Sequence, residues 1–293
     1  MKLSIMFITY NRKKELIRAI KSCISNRIYD MEIIIVDNNS SDGTEKEVKN
    51  LLIENNVKFT YYFSEKNLGV AGGRNKAFSL CSGEYVFCLD DDAVIKSKNL
   101  LINTCRYMDD NKDVAVLAYN IHEPKSGEDL IGKLEKKKNK ENECRCLSFV
   151  GAAHTLRRKV FLERLYPENL FFGSEELYAS FSAWNSGYNV KYIPNQIVHH
   201  IPSSINRTAG KERDYNFILN QYIIKKLVYP FGIRNILKII LFLRLLKNNM
   251  VSIEYFSRIK KDMEKRYSKD EVNRMSYDTF YRLCKNFGFK YIF

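Results

Sequence analysis

The amino-acid sequence predicts an α/β fold: a doubly wound, mostly parallel, Rossmann-like sheet followed by a C-terminal helical extension. Over the first hundred residues, short apolar segments alternate with segments of helical periodicity, as strands do when crossover helices join them. Beyond Pro202 the apolar residues recur at helical spacing. We expect two parts in the 293 residues, an α/β domain over 1–205 and a basic helical region over 206–293.

Four strands are predicted in the first part, over residues 3–8, 32–36, 57–63 and 84–89. Short apolar segments of this kind are typical of strands in a parallel sheet covered on both faces. Asn11 is expected to cap the first helix, and Asp42 with Glu45 resembles a capping box for the second. Because the carboxyl ends of parallel strands meet at one edge, the loops that follow them should lie together.

The middle of the chain has a less regular pattern. A helix over 98–108 and a strand over 114–119 precede a segment at 133–144 that is rich in lysine and glutamate, which we expect to be exposed. A further helix is predicted over 175–186, and two short strands over 189–193 and 196–200. The sheet should therefore gain strands after its first four.

Charge is unevenly distributed along the chain, whose net charge is +14. Residues 201–293 hold 19 Lys and Arg against 8 Asp and Glu. This balance predicts an anionic partner for the helical region, either an anionic membrane surface or a phosphorylated acceptor. Nucleic acid is not expected, because no motif that reads bases accompanies the charge. The alternative is that these helices pack on the sheet or on a second subunit, which would make an oligomer.

Cysteine usage and the lack of a long apolar run bear on location. Seven cysteines occur at irregular spacing, and buried thiols of this kind suit a reducing cytosol. The first apolar segment is followed at once by charged residues and resembles a strand more than a signal peptide. No run approaches the roughly 20 apolar residues that span a bilayer. We expect a cytoplasmic protein, with peripheral attachment at the inner face of the membrane as an alternative.

The strand that ends at Leu89 is followed by three consecutive carboxylates, Asp90, Asp91 and Asp92. Adjacent like charges repel, and desolvating one without a partner costs several kcal/mol or more. A divalent cation would make the cluster tolerable, and Mn²⁺ or Mg²⁺ takes oxygen ligands that phosphates usually complete. The triplet predicts a metal-bound, phosphate-containing ligand, with a solvated acidic turn as the alternative.

Three residues on neighbouring loops suit a nucleotide. Asp37 ends the second strand and could accept a hydrogen bond from a nucleobase imide, and Tyr10 could pack on the base. Arg74 follows a glycine-rich loop, and its guanidinium suits a diphosphate. Each has a structural alternative: a turn cap for Asp37, packing for Tyr10 and a solvated helix residue for Arg74.

Two further pairs have the chemistry of a reaction centre. Glu175 and Glu176 begin a predicted helix, where a carboxylate could act as a general base or merely complement the helix dipole. His199 and His200 end a predicted strand. Either could bind Mn²⁺ as a neutral imidazole, or be a structural histidine.

Taken together, these segments resemble the family 2 glycosyltransferases of the GT-A fold. The resemblance covers residues 1 to about 205, and its best segments are IMFITYNR at 5–12, IIVDNNSSDGT at 34–44, NLGVAGGRN at 67–75 and LDDD at 89–92. Three positions depart from the family pattern. Ile8 replaces a frequent proline, Glu175–Glu176 replaces the usual Glu-Asp, and Tyr178 stands where an acid is common.

The resemblance implies an inverting sugar transfer from a UDP- or dTDP-linked donor to a hydroxyl of a glycan or lipid-linked acceptor, in bacterial cell-surface polysaccharide synthesis. It places the nucleotide-sugar on Thr9, Tyr10, Asn11, Asp37, Asn39, Gly69, Arg74, Asp90 and Asp91. It assigns Mn²⁺ or Mg²⁺ to Asp92, Asp90 and His200, with His199 less favoured. It makes Glu176 the base, with Glu175 as the alternative.

Two other functions remain open at this point. The departure at Tyr178 is compatible with a degenerate GT-A domain that binds ligands without catalysis. A sugar-phosphate nucleotidyltransferase has a related sheet, but it would need a glycine-rich loop after the first strand. Thr9, Tyr10 and Asn11 stand there instead.

Overall fold

The computed structural model describes residues 1–170, 172–203, 210–267 and 274–293. The predicted boundary between residues 205 and 206 lies outside the described residues. Ten strands are described: β1 Leu3–Thr9, β2 Met31–Asp37, β3 Phe59–Phe63, β4 Tyr85–Leu89, β5 Ala93–Ile95, β6 Val114–Glu123, β7 Glu128–Leu130, β8 Cys144–Arg145, β9 Ala153–Arg157 and β10 Asn189–His200. The predicted pair of strands over 189–200 is one strand, whose register shifts between Ile193 and Ile197.

Helices cover both faces of the sheet and make up the C-terminal part. Those described are α1 Lys13–Ser25, α2 Thr44–Glu54, α3 Gly69–Leu80, α4 Leu100–Asp110, α5 Glu175–Asn185, α6 Gly210–Val228, α7 Arg234–Lys247, α8 Ile253–Arg266, α9 Tyr277–Phe287 and α10 Phe289–Ile292. The predicted α/β fold with a helical C-terminal part is confirmed. Within the described ranges, no helix is both long enough and apolar enough to cross a membrane.

The strands form one mixed sheet in the order β3-β2-β1-β4-β9-β6-β10-β5. The first four strands are parallel, as predicted. The second half is mixed, because β9 enters between β4 and β6 antiparallel to both. The chain passes from β6 to β9 through β7 and β8 without a helix, whereas a parallel pairing of β6 with β9 would usually need a helical crossover connection.

Strand register brings the predicted loops to one edge. Thr9 at the end of β1 pairs with Asp37 at the end of β2. On its other side β1 pairs with β4, with Met6 opposite Cys88, so Asp90 follows two residues beyond this pair. The carboxyl ends of parallel strands form a common edge, and this edge carries the candidate site.

Of the two predicted helix caps, the one at Asn11 is wrong. Helix α1 has Arg12 at its N-cap and no side-chain cap hydrogen bond, while Asn11 Oδ1 accepts from the Ser41 amide at 2.7 Å. The N-cap position of α2 is Gly43, but Asp42, one residue earlier, accepts from the Thr44 amide at the start of α2 at 3.1 Å and from the amide of Lys13 at 3.0 Å. The loops after β1 and β2 therefore brace each other, which local sequence patterns do not predict.

The core lies on both sides of the sheet. Along β2, Ile33 and Ile35 belong to one apolar cluster and Ile34 to the other, because successive side chains point to opposite faces. The C-terminal helices join the cluster that contains Ile34, through Ile223 of α6 and Phe287 of α9. That packing fixes α6 beside α5 at the same edge as the site.

Candidate active site

A cavity of about 350 Å³ opens at the carboxyl edge of the parallel strands. Most of the residues predicted to act together line it: Thr9, Tyr10, Gly69, Arg74, Asp90, Asp91, Asp92, Glu175, Glu176 and His200. They come from β1, β4, α3, α5 and β10 or from the loops beside them. The fold thus assembles one polar site from segments far apart in sequence.

Three predicted nucleotide ligands do not line this cavity. Asp37 is fully buried; its Oδ1 accepts from the Ser40 amide at 2.7 Å and its Oδ2 from the Tyr61 hydroxyl. Asn11 joins two loops, as described above, and Asn39 is exposed beside them with φ of 74°. Contact between Asp37 and a nucleobase would require its present partners to move, so that role stays a prediction.

Asp91 is held inside the site by β1 and the loop after it. Its Oδ2 accepts from Thr9 Oγ1 at 2.9 Å, and its Oδ1 accepts from Arg12 Nη1 at 3.0 Å. Burial raises the pKa of Asp91 to about 7, although the Arg12 charge opposes the shift. Asp91 is thus a structural partner of Arg12 as well as a cavity residue.

Asp92 and His200 face each other across the end of the sheet. Asp92 Oδ1 lies 3.4 Å from His200 Nε2, and His200 Nδ1 lies 2.9 Å from Glu123 Oε1. Burial alone would raise the pKa of Asp92, but the hydrogen bond and charge of His200 lower it. Burial alone would lower the pKa of His200, and Asp92 raises it above its ordinary value.

The donor set of this pair fits a divalent cation. A carboxylate and an imidazole that line the same cavity suit Mn²⁺, and Mg²⁺ would bind through the carboxylate. Within the described ranges, no three His, Cys, Asp or Glu side chains are gathered as a complete metal cluster. A metal held by Asp92 and His200 would therefore need ligand oxygens from a substrate or water. His199 does not line the cavity and lies against His122, with ring centroids 5.3 Å apart.

Arg74 links the two acidic groups of the site. Its Nη2 donates to Asp90 Oδ1 at 2.7 Å, and its Nη1 donates to Glu175 Oε1 at 3.1 Å and Glu176 Oε1 at 3.3 Å. Burial alone would lower the pKa of Arg74, but these carboxylates raise it. Arg74 remains a cation, and its guanidinium donates to the side chains of Asp90, Glu175 and Glu176.

The two glutamates differ in access to the cavity. The Glu175 side chain is 3 % exposed and that of Glu176 is 18 % exposed. Burial and the neighbouring charge of Glu176 raise the pKa of Glu175, so the neutral form of Glu175 is favoured. Glu176 is therefore the better placed of the two to meet a ligand.

Several lining residues were not predicted as site residues. Arg12 faces Asp91 and Asp92. The sequence contained two signals for this role: Arg12 follows Asn11 directly, and the acidic triplet needs a nearby cation. Gly151 accepts from Arg74 Nη2 through its carbonyl at 3.1 Å. Phe217 of α6 lines the cavity, and no local pattern indicated that role.

Tyr178, the departure from the expected acid, lies outside the cavity lining. Its side chain is buried, with 5 % of the residue exposed, and joins the apolar cluster that contains Phe181 and Trp184. Position 178 therefore lies on the buried side of α5. A tyrosine in place of the expected acid does not remove a carboxylate from the cavity lining.

Comparison with known proteins agrees with this geometry. The family model for glycosyl transferase family 2 matches residues 4–165. A Campylobacter jejuni GalNAc(5)-diNAcBac-PP-undecaprenol beta-1,3-glucosyltransferase is 39% identical over 92 residues, which cover 31% of this chain and 29% of that enzyme. The chain thus matches less than a third of that relative's length.

Two solved structures share the fold at low identity. S. aureus TarS 1-349 in complex with UDP has a TM-score of 0.59 and 19% identity, covering 77% of this chain and 66% of that one. GalNAc-T7 with UDP, GalNAc and Mn²⁺ has a TM-score of 0.68 and 16% identity, covering 97% and 58%. Because the matched family model extends over more than half of the sequence and the neighbours are GT-A enzymes, this chain belongs to glycosyl transferase family 2 and has the GT-A fold.

Proposed function

We propose that this glycosyltransferase moves a sugar from a UDP- or dTDP-linked donor to a hydroxyl of a glycan or lipid-linked acceptor, with inversion and with a divalent metal. The observation that carries the proposal is the shared cavity, which is lined by the Asp92–His200 pair, by Arg74 and by Glu176. A leaving-group site and a base that line one cavity suit an in-line displacement.

The nucleotide end of the cavity would lie along β1 and β4. Thr9, Tyr10 and Gly69 offer a hydroxyl, an aromatic ring and a close backbone approach there. Asp90 is the natural partner for ribose hydroxyls, since it lies at the strand end with its Oδ1 on Arg74. UDP bound to TarS and to GalNAc-T7 supports a uridine nucleotide.

Asp92 and His200 would hold the metal. Bound there, Mn²⁺ or Mg²⁺ would offset the charge that develops on the departing diphosphate. The protein's own part is to present Asp92 as a carboxylate, which His200 favours by lowering its pKa. Arg12 adds a fixed positive charge beside the same group, with its Nη1 3.5 Å from Asp92 Oδ2.

Glu176 would take the proton from the acceptor hydroxyl as that oxygen attacks the anomeric carbon. General-base catalysis by a positioned carboxylate contributes about 10²–10⁴-fold to rate. Arg74 Nη1 donates to one Glu176 oxygen at 3.3 Å and so fixes the position of the carboxylate. The acceptor oxygen would form its bond to the anomeric carbon on the face opposite the diphosphate, whose bond to that carbon breaks, and inversion is therefore expected.

The acceptor would be a glycan or a lipid-linked molecule. The name of the Campylobacter jejuni relative includes a PP-undecaprenol-linked glycan, which supports the lipid-linked acceptor. Phe172 and Phe217 line the cavity with Glu176, and their rings, with centroids 5.8 Å apart, offer an apolar wall for a sugar ring.

A donor screen tests the proposal. The purified chain with Mn²⁺ is mixed with UDP-, dTDP- and GDP-sugars, and both the unfolding temperature and sugar release to water or acceptor are measured. A cognate donor should raise the unfolding temperature, because it binds only the folded state, and should be consumed. Stabilisation without consumption of any donor would favour the non-catalytic alternative, and neither effect with any donor would contradict the proposal.

A further inference from the structure

Helix α7 has two apolar faces, and one of them points outward. Leu237 and Leu245 are each 2 % exposed and pack into the core. On the opposite side, five apolar side chains are between 43 % and 62 % exposed: Ile236, Ile239, Phe242, Leu243 and Leu246. At about 3.6 residues per turn these five fall on one side of the helix, and they are called the α7 outer face below.

The charges of α7 border this face. The helix contains four cations and no carboxylate. Arg234 and Arg244 turn inward, donating to the Tyr267 hydroxyl at 3.1 Å and to Gln221 Oε1 at 2.6 Å. Lys238 and Lys247 are exposed, and at about 3.6 residues per turn they lie on opposite flanks of the α7 outer face.

Apolar exposure continues beyond both ends of α7. Phe231, just before the helix, is 68 % exposed, and Ile253 and Phe256 of α8 are 87 % and 46 % exposed. Single exposed apolar residues are normal on a protein surface, but a group of them bordered by polar residues marks an interaction site. An apolar stripe with an exposed lysine on each flank matches the interfacial region of an anionic bilayer.

We propose that the α7 outer face docks on an anionic lipid bilayer, with the helix lying in the plane of the interface and Lys238 and Lys247 among the lipid headgroups. A second copy of the chain is a poorer occupant. It would bring two carboxylate-free helices together, each from a region holding 19 basic and 8 acidic residues, so like charges would face each other.

Docking at this face would place on the membrane a helix whose neighbour forms part of the cavity wall. Helix α7 packs against α6, and α6 contributes Phe217 to the cavity. The docking surface itself does not depend on the proposed chemistry, because none of its residues lines the cavity.

Flotation of the full chain with vesicles tests the proposal. Vesicles of phosphatidylglycerol and phosphatidylcholine are compared with vesicles of phosphatidylcholine alone. The double variant Ile239→Glu with Leu243→Glu should weaken binding to the anionic vesicles at least tenfold. The control is Ile53→Glu with Leu162→Glu, which changes net charge equally at side chains that are 66 % and 59 % exposed elsewhere; it should bind as the original chain does.

A second pair of variants tests the charge argument. Lys238→Gln with Lys247→Gln should reduce binding to anionic vesicles several-fold, and added salt should reduce it for the original chain. Donor-induced stabilisation should be the same in every variant, so a failure of the proposed chemistry is recorded separately from a failure of docking.

Four results would overturn the proposal. They are no binding of the original chain to anionic vesicles, equal binding to neutral vesicles, undiminished binding of the Ile239→Glu, Leu243→Glu variant, and equal loss in the control. A dimer in light scattering that this double variant dissociates would likewise assign the α7 outer face to a second copy of the chain.

Discussion

Glu176 rests against the open side of Gly151: a Cβ added to Gly151 would come within 1.8 Å of Glu176 Oε1. The same Cβ would lie 3.2 Å from Arg74 Nη1, so the glycine makes room for the whole ion pair. Any side chain at position 151 must therefore push the Glu176 carboxylate out of its present place.

We expect Gly151→Ala to lower kcat by about 10²-fold, since a displacement of about 1 Å at a reacting group can cost that much. Metal-dependent donor binding should change little, because the atoms nearest to the added Cβ belong to Glu176 and Arg74 and not to Asp92 or His200. Steady-state kinetics beside a thermal-shift titration with donor separates the two effects. Unchanged kcat would mean that the contact between Glu176 and Gly151 does not position a catalytic group.

Glu176→Gln and Glu175→Gln should differ sharply. Removing the base should cost about 10²–10⁴-fold in kcat, so Glu176→Gln should be nearly inactive with donor binding retained. Burial favours the neutral form of Glu175, and glutamine resembles that form. Glu175→Gln should therefore lower kcat by less than about tenfold. The opposite order of activities would assign the base to Glu175.

Asp92→Asn should abolish the part of donor binding that depends on Mn²⁺, and His200→Ala should weaken it. Calorimetric titration of the nucleotide with and without Mn²⁺ measures this, because a metal that bridges protein and diphosphate couples the two affinities. His199→Ala is the matched control: it changes the adjacent histidine, which lies beside His122 outside the cavity. Loss of metal coupling in His199→Ala, with coupling kept in His200→Ala, would reverse the assignment.

Much of the site follows from strand ends that the sequence reveals. Thr9 and the Asp90–Asp92 triplet end short apolar strands, and parallel pairing brings such ends together whatever else the chain does. The role of Arg12 and the contact between Glu176 and Gly151 were not predicted, because both depend on side-chain packing between segments that are distant in sequence. Phe217 depends on how α6 docks beside α5, and helical periodicity does not determine that.

The burial of Asp37 shows the same limit. Its position at the end of β2 was predicted, but the Tyr61 hydroxyl that occupies Oδ2 comes from β3, one strand away. The side chains beside a carboxylate at the end of a strand decide whether its oxygens are free to bind a ligand or already accept hydrogen bonds from a neighbour. Those contacts are tertiary, and a single strand pattern does not contain them.

Glu32 provides a test of stability that is independent of the site. This buried carboxylate accepts from Ser4 Oγ at 2.7 Å, from the Ser82 amide at 2.8 Å and from Ser82 Oγ at 2.7 Å. Burial alone would raise the pKa of Glu32, but these hydrogen bonds and Lys58 lower it. A lowered pKa in the folded state means that ionised Glu32 stabilises the fold above the ordinary glutamate pKa.

That stabilisation should disappear as the pH falls through the lowered pKa of Glu32, where the folded and unfolded chains both carry a neutral group. Glu32→Gln should therefore lower the free energy of unfolding by about 1–3 kcal/mol at pH 7, the worth of hydrogen bonds to a charged group, and by much less in acid. Denaturant titrations of both chains at several pH values measure the difference. A gap that stays constant down to pH values well below the ordinary pKa would show that lost packing, and not lost charge, destabilises the variant.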